Sequence, residues 1–255
     1  MIQIYCDESN DGATYALAGL VATPSNWGCF APAWQRMLEE IEAPAFHAAE
    51  IENRETISRS RYSHWDRARV VRAFTSAVDV LCERKYCSLL WAVGVSIALP
   101  EPNLDPDTIW LLTFFRFFQA VVDGFGPQMG IELIFDEKPE VKARVERYYE
   151  WATGIANGLA PGKFDTLTFA SDDVVMPLQA ADLFTYEWRK HISDKRNSPD
   201  KPLRTSYRRI RERLDADGRA LLHHYNKAAM MAITQQTRDG GNFLKLMWDH
   251  PTTSD

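Results

Sequence analysis

An α/β fold, a mixed β-sheet flanked by helices, is predicted by three features of the sequence. Short β-rich runs alternate with helical patterns along most of the chain. The first two runs, 2–6 and 15–22, flank Asn10-Asp11-Gly12, whose turn chemistry predicts an antiparallel hairpin. The later runs come one at a time with helices between them, which predicts a sheet of mixed direction. At 255 residues and 45% hydrophobic content, the chain is long enough to bury a sizeable core.

The elements follow in order. Ile2 to Cys6 alternates and is β-rich, and Tyr15 to Ala22 returns as its partner. Thr23-Pro24-Ser25-Asn26 breaks that pattern. Trp34, Met37, Leu38 and Ile41 recur at helical spacing, so a first helix ends before Pro44. Residues 45–61 are polar and irregular, a loop with a short helical turn. Ser63 with Asp66 resembles a capping box and opens a helix to about Glu83, with Val70, Phe74, Ala77, Val78 and Leu81 on one face. Residues 87–99 read as a strand. Asp105-Pro106 supplies an N-cap and an N1 proline for an aromatic-rich core helix over about 107–123. A strand over 131–135 and an amphipathic helix over 139–157, stopped by Gly158, come next. Thr166 to Ala170 is the last expected strand, and a helix over 177–191 follows it. Residues 195–205 read as a loop, and helical pattern resumes from Ser206 and again from Arg219 to Met231. The expected organisation is a core over 1–192 with a helical insertion at about 27–85, then a basic linker and helical C-terminal tail over 193–255.

Composition excludes several classes. No apolar run reaches the roughly 20 residues of a membrane helix. The N-terminus enters a strand pattern directly, without a signal peptide, so a cytoplasmic location is expected. Cys6, Cys29, Cys82 and Cys87 lack the paired spacing of a structural zinc site. No Walker-type glycine loop is present. The net charge of −6 rules out a nonspecific nucleic-acid coat. The charge is uneven, however: the stretch 188–213 holds ten Lys and Arg, including Arg189, Lys190, Arg208 and Arg209, against three acids.

Chemistry is suggested by acids at recurring places. Asp7-Glu8-Ser9 follows the first strand and Asp136-Glu137 a later one, while Asp182 sits within the apolar helical segment Leu178-Gln179-Ala180-Ala181-Asp182-Leu183. Function in α/β sheets gathers where strands end. Carboxylates brought together there repel one another unless a hard divalent cation lies between them. Such a cluster suits metal-assisted phosphodiester chemistry. His47 is placed to order a water or shuttle a proton. Gln179 lies one turn before Asp182 and is a candidate substrate contact.

The ordered set Tyr5-Cys6-Asp7-Glu8-Ser9, Phe46-His47-Ala48-Ala49-Glu50, Phe135-Asp136-Glu137 and Leu178-Gln179-Ala180-Ala181-Asp182 resembles bacterial domain-of-unknown-function family 3800, over about residues 1–191. Asn10 stands where that family's first motif usually has glycine. The resemblance implies a ribonuclease H-like fold and a nuclease-type cluster binding Mg2+ or Mn2+, two ions in all. It implies Asp7, Asp136 and Asp182 as ligands, with Glu50 as the fourth acid and Glu8 and Glu137 as its substitutes. On this reading Asp7, Glu50, Asp136, Asp182 and His47 are the catalytic set. Gln179, Arg189, Lys190, Arg208 and Arg209 then hold an RNA or DNA substrate. Family context suggests defence against phages or mobile elements, with a partner protein or a homo-oligomer among the expectations. The rival expectations are a non-catalytic nucleic-acid or protein-binding module of the same fold and a small-molecule phosphodiesterase.

Overall fold

The hairpin turns where its side chains can satisfy the backbone. Asn10 Oδ1 accepts from the Gly12 amide at 2.8 Å and Asp11 Oδ1 from the Thr14 amide at 2.8 Å. Gly12 takes a φ of 81°, open to glycine without a Cβ penalty. The structure, a computed structural model, describes residues 1–98, 106–125, 129–139, 142–149, 164–218, 220–238 and 253–254. The hairpin strands are β1 (Ile2–Asn10) and β2 (Thr14–Ala22). β1 is longer than expected because β2 continues to pair with it, with Asp7 opposite Ala18. Asp7 therefore lies within β1, not after it.

Thr23-Pro24-Ser25-Asn26 starts a helix instead of only ending a strand. Thr23 Oγ1 accepts from the Asn26 amide, and Pro24 occupies the first turn of α1 (Pro24–Glu40). The short α2 (Ala48–Glu52) falls in the expected polar loop. α3 (Arg67–Cys82) is capped by Asp66, whose Oδ1 accepts from the Arg69 amide at 2.7 Å; Asp66 takes the capping place assigned above to Ser63. Then come β3 (Trp91–Ala98), α4 (Pro106–Gly124), β4 (Ile131–Asp136), helical residues 142–149 (α5) and β5 (Phe164–Ala170). Asp105, Gly158 and the 150–157 part of the expected helix lie outside the described residues. α6 (Met176–Asn197) runs beyond the expected end at His191, placing Lys195 and Arg196 in its last turn, where the helix dipole favours cations.

The C-terminal part corrects the expected helical tail. α7 (Thr205–Ala216) is helical as read, but Ala220–Tyr225 is a strand, β6, paired parallel to β3 from Ala92↔Ala220 to Ile97↔Tyr225. The open edge of β3 supplies backbone partners there, and tertiary pairing outweighs the helical reading. α8 (Lys227–Arg238) and the two-residue β7 (Thr253–Ser254) complete the order.

The sheet runs β5-β4-β1-β2-β3-β6-β7. β4 and β5 add parallel to β1 on one side, and β2 and β3 add antiparallel on the other. One face packs against α1, α3, α6 and α7, and the other against α4, α5 and α8. This is a mixed α/β architecture, a mixed sheet flanked by helices. None of the described helices is long and apolar enough to cross a membrane.

α6 crosses β1 and β2 and carries Asp182. It lies close because the sheet presents Ala16, Ala18 and Gly94 beneath it. A Cβ on Gly94 would sit 2.6 Å from Trp188 Cζ3 and 2.9 Å from the Ala18 Cβ. Gly94→Ala should therefore lift the Trp188 end of α6 and cost about 1–3 kcal/mol, read as a lowered denaturation midpoint. An unchanged midpoint would show that α6 does not need this close seat.

Candidate metal and catalytic site

Acids lie toward the same end of three neighbouring parallel strands, within β1, at the end of β4 and just after β5. Asp7 follows the last paired residue of β1 against β4, Cys6↔Phe135, and Asp136 follows Phe135 on β4. Cys6 and Phe135 both point into the core beneath α4. Side chains alternate along a strand, so Asp7 and Asp136 both face α6, on strands about 4.8 Å apart. Asp172 and Asp173 come just after β5, in a turn closed by the Val175 amide donating to the Ser171 carbonyl at 3.0 Å. From the helix side, Asp182 Oδ2 accepts from the Ala48 amide at 2.7 Å, which caps the first turn of α2 from outside.

Two cations and a guanidinium bind this cluster. Lys138 Nζ lies 2.7 Å from Asp136 Oδ2 and 3.7 Å from Asp172 Oδ2. His47 is held between two acids, with Nδ1 3.2 Å from Asp172 Oδ2 and Nε2 3.1 Å from Asp173 Oδ1. Arg61 Nη1 donates to Asp173 at 2.7 Å, and its Nη2 lies 3.3 Å from Glu50 Oε2. The Arg61 amide donates to Glu50 Oε1 at 2.7 Å.

The electrostatics are those of crowded carboxylates. Burial first, and then the charge of Asp182, push the Asp7 carboxyl well above the usual carboxylate range, against the pull of Lys138. Burial also raises Asp182, while the Ala48 amide, His47 and Lys138 restrain the rise. Both residues keep some exposed surface, but protein atoms crowd the carboxylates closely enough for desolvation to govern. Burial would lower the His47 pKa, yet the hydrogen bond and charge of Asp172 outweigh it and raise the imidazole above its ordinary value. For Asp172, burial is again overcome, here by His47, and its carboxyl is lowered. On Asp173 the Arg61 hydrogen bond leads and lowers it as well.

Oxygen and nitrogen ligand atoms of His47, Asp172 and Asp173 lie within 4.8 Å of one another, close enough to hold a metal. The ion-pair description fits them better. His47 meets a carboxylate at each nitrogen and its pKa is raised, which favours the protonated ring over the neutral one a metal ligand needs. Asp173 is also engaged by Arg61. The other acidic set is Asp7, Asp136, Asp182 and Asp172, and Lys138 is the cation common to it. The set's hard oxygen donors and mutual repulsion fit Mg2+ or Mn2+.

Several sequence-predicted residues are placed elsewhere. Glu8 points to the opposite face of the sheet from Asp7 and accepts from Tyr15 Oη and Trp110 Nε1 on one oxygen, at 3.1 and 3.3 Å. It cannot substitute for a fourth acid of the cluster. Glu137 is exposed. Glu50 has both oxygens engaged by Arg61 and joins the cluster only through Asp173. Asp172, after β5, is a further acid that Lys138 links to Asp136, at 3.7 and 2.7 Å. Gln179 is fully buried and committed to the fold. Its Oε1 accepts from Trp34 Nε1 and the Phe46 amide, both at 2.9 Å, and its Nε2 donates to the Asp172 carbonyl at 2.7 Å. No donor or acceptor is left over for a substrate.

The basic stretch is likewise largely spent inside the fold. Arg189 is buried and donates to Ser9 and Asp11, both at 3.0 Å. Lys190 lies 6.0 Å from the centre of the Tyr186 ring. Arg209 pairs with Asp79 at 2.6 Å, Arg204 with Glu187 and Glu52, and Arg213 with Asp217. Arg208 is exposed. The cations that reach the carboxylates are Lys138, His47 and Arg61. Of these, Lys138 and Arg61 carried no mark in the sequence reading, and neither did Asp172 and Asp173. Two signals were available: Lys138 directly extends Asp136-Glu137, and Asp172 follows the strand at 166–170 just as Asp136 follows its own.

The chain matches no family model and no curated protein.

Two outcomes follow from this geometry. Gln179→Ala leaves the Trp34 and Phe46 donors and the Asp172 carbonyl unsatisfied in the core, and should cost about 3 kcal/mol in chemical denaturation; a loss within error would remove its bridging role. In metal-free protein, Asp7 carries a raised carboxyl pKa, so the folded state binds its proton more tightly than the unfolded state does. Its contribution is therefore full below the unfolded value near 3.9 and is lost as pH rises through the folded value. Asp7→Asn should flatten this decline and be more stable than wild type at pH 8, as read from denaturation midpoints at pH 5 and pH 8. A variant less stable at pH 8 would contradict the crowding argument.

Proposed function

We propose that this protein is a metal-dependent nuclease, hydrolysing phosphodiester bonds of RNA or DNA with Mg2+ or Mn2+. The observation that carries the reading is that Asp7 and Asp136, on adjacent parallel strands, both face α6, whose Asp182 acts by its charge on the buried Asp7. Asp7 and Asp182 repel each other in a desolvated setting and Asp136 is buried on the next strand, which a purely structural role does not require and which a divalent cation would relieve. A ribonuclease H-like core is supported by the sheet: an antiparallel run of three strands, then two added parallel to β1 on its free side, with acids at β1 and β4. The ordered motifs that resemble domain-of-unknown-function family 3800 belong to this same reading, since three of the four contribute residues to the cluster directly and the fourth, through Glu50 and His47, its flank.

Asp7, Asp136 and Asp182 would hold the cation, with Asp172 at the edge. When bound it would supply Lewis acidity toward the phosphate and a more acidic water. The protein's own side chains do the rest. His47 fixes Asp172 and, with its pKa raised by that carboxylate, is a proton carrier beside the cluster, able to donate to a phosphate oxygen or a leaving oxygen. Arg61 and Lys138 provide positive charge at its two flanks. α6 and its small-residue seat exclude water from behind the carboxylates.

A smaller phosphodiester is the second reading. It is favoured by the internal pairing of most of the basic stretch, which leaves few free cations to line a nucleic-acid groove.

The test is cleavage of labelled single- and double-stranded RNA and DNA and of a small aryl phosphodiester, with Mn2+, Mg2+ or chelator. Cleavage of nucleic acid should need the metal and fall at least about 100-fold in Asp7→Asn and Asp136→Asn. Turnover of the aryl ester alone would favour the second reading. No metal-dependent cleavage by folded protein would overturn both.

A further inference from the structure

We propose that Lys138 is the resident counter-ion of the carboxylate cluster, and that a divalent cation has to displace its ammonium, so that this side chain sets the metal affinity of the site. This rests on the metal-dependent reading above.

Lys138 stands two residues beyond Asp136 and bridges β4 to the turn after β5 by its contacts at 2.7 Å with Asp136 and 3.7 Å with Asp172. Its charge also acts on Asp7 and Asp182. One ammonium is thus felt by all four acids, two of which, Asp172 and Asp182, also feel His47, and it stands in the place a metal would take. An ammonium has donors only, so it cannot share a carboxylate lone pair with a metal. The two cations compete for the same oxygens.

The neighbouring positive groups are held more firmly. His47 is bonded on both nitrogens, Arg61 spans Asp173 and Glu50, and the Ala48 amide is part of α2. Lys138 hangs on a flexible four-carbon stem, and its side chain is 49% exposed. It can swing outward without disturbing the backbone. If it stays, it repels the incoming cation; if it leaves, its ion pairs are lost. Both routes weaken metal binding. An opposite charge within about 4–6 Å stabilises a carboxylate by about 1–3 pKa units, so the penalty is about tenfold or more in affinity.

The experiment is calorimetric titration of Mn2+ into wild type, Lys138→Met, Lys138→Arg and Asp136→Asn, with melting curves of each protein with and without Mn2+. Lys138→Met should bind Mn2+ about tenfold more tightly than wild type. Its metal-free melting temperature should be lower and should recover with Mn2+, because Asp136 and Asp172 lose the charge of the Lys138 ammonium. Lys138→Arg keeps the charge and should bind no more tightly than wild type. Lys138→Gln repeats the neutral test if the methionine variant does not fold. Equal or weaker Mn2+ binding by the neutral variants, with wild type binding and Asp136→Asn not, would overturn the role of Lys138 alone. Absence of Mn2+ binding in wild type and in the neutral variants would overturn the metal reading and this inference with it.

Discussion

Carboxylates that are brought together and shielded from water repel each other, and the architecture on one side of this sheet is arranged around that constraint. Each acid is answered from a different element. Asp136 meets Lys138 from its own strand end, and Asp172 meets His47 from the start of α2. Asp182 is met by the Ala48 amide, and Asp173 by Arg61. Asp7, deepest in the strand pairing, is met by the Glu8 amide and the charge of Lys138, which do not offset the upward shift from burial and Asp182. Counter-charges that come from β4, α2 and the 53–66 loop tie those segments to one another through the cluster. The site is a junction of the fold as well as a place for chemistry.

Gln179 fixes the geometry of that junction from beneath. A primary amide offers two donors and an acceptor with two lone pairs. Here the acceptor serves α1 through Trp34 and the 43–47 segment through Phe46, while a donor serves the turn after β5 through Asp172. The same side chain therefore sets the positions of His47 and Asp172 relative to α6, three residues before Asp182. A glutamate could not donate to the Asp172 carbonyl while ionised, and a hydrophobic residue would satisfy none of the three. Buried amides of this sort earn their place through connectivity between segments, not through area buried.

Much of the fold was legible because local signals and tertiary packing agree. The hairpin is announced by Asn10-Asp11-Gly12, α3 by its apolar stripe, and β4 and α6 by pattern and length. The failures came where a single segment satisfied two rules. Thr23-Pro24-Ser25-Asn26 contains both strand breakers and a good helix start, and Asp66 competes with Ser63 as a cap. Residues 220–225 carry helical-looking apolar spacing, yet they lie beside the free edge of β3, which no local pattern reveals. For the site, Asp7, Asp136 and Asp182 were visible as acids at strand ends and within an apolar helix. The facing of Glu8 was also accessible in principle, since neighbours on a strand point to opposite faces. The engagement of Gln179, Arg189 and Glu50 was not, because the partners that bind Gln179 Oε1, Arg189 and Glu50 lie more than ten residues away in sequence.

The basic stretch shows why a count of charges does not describe a surface. Its later arginines follow α6, whose own buried Glu187 needs a partner, and Arg204 supplies it while also reaching Glu52 at the end of α2. Arg213 is buried and donates to Asp217 and to the Cys87 carbonyl, holding α7 against the approach to β3. Arg209 fastens α7 to α3. Each of these cations stabilises packing between helices, and each is thereby removed from the charge available to a polyanion. With a net charge of −6, long-range attraction to a nucleic acid is weak. Binding energy for a phosphodiester has to come from close range, at the cluster itself. The local balance of carboxylates against Lys138, His47 and Arg61 then decides whether a phosphate is repelled or held, and a divalent cation is what reverses that balance.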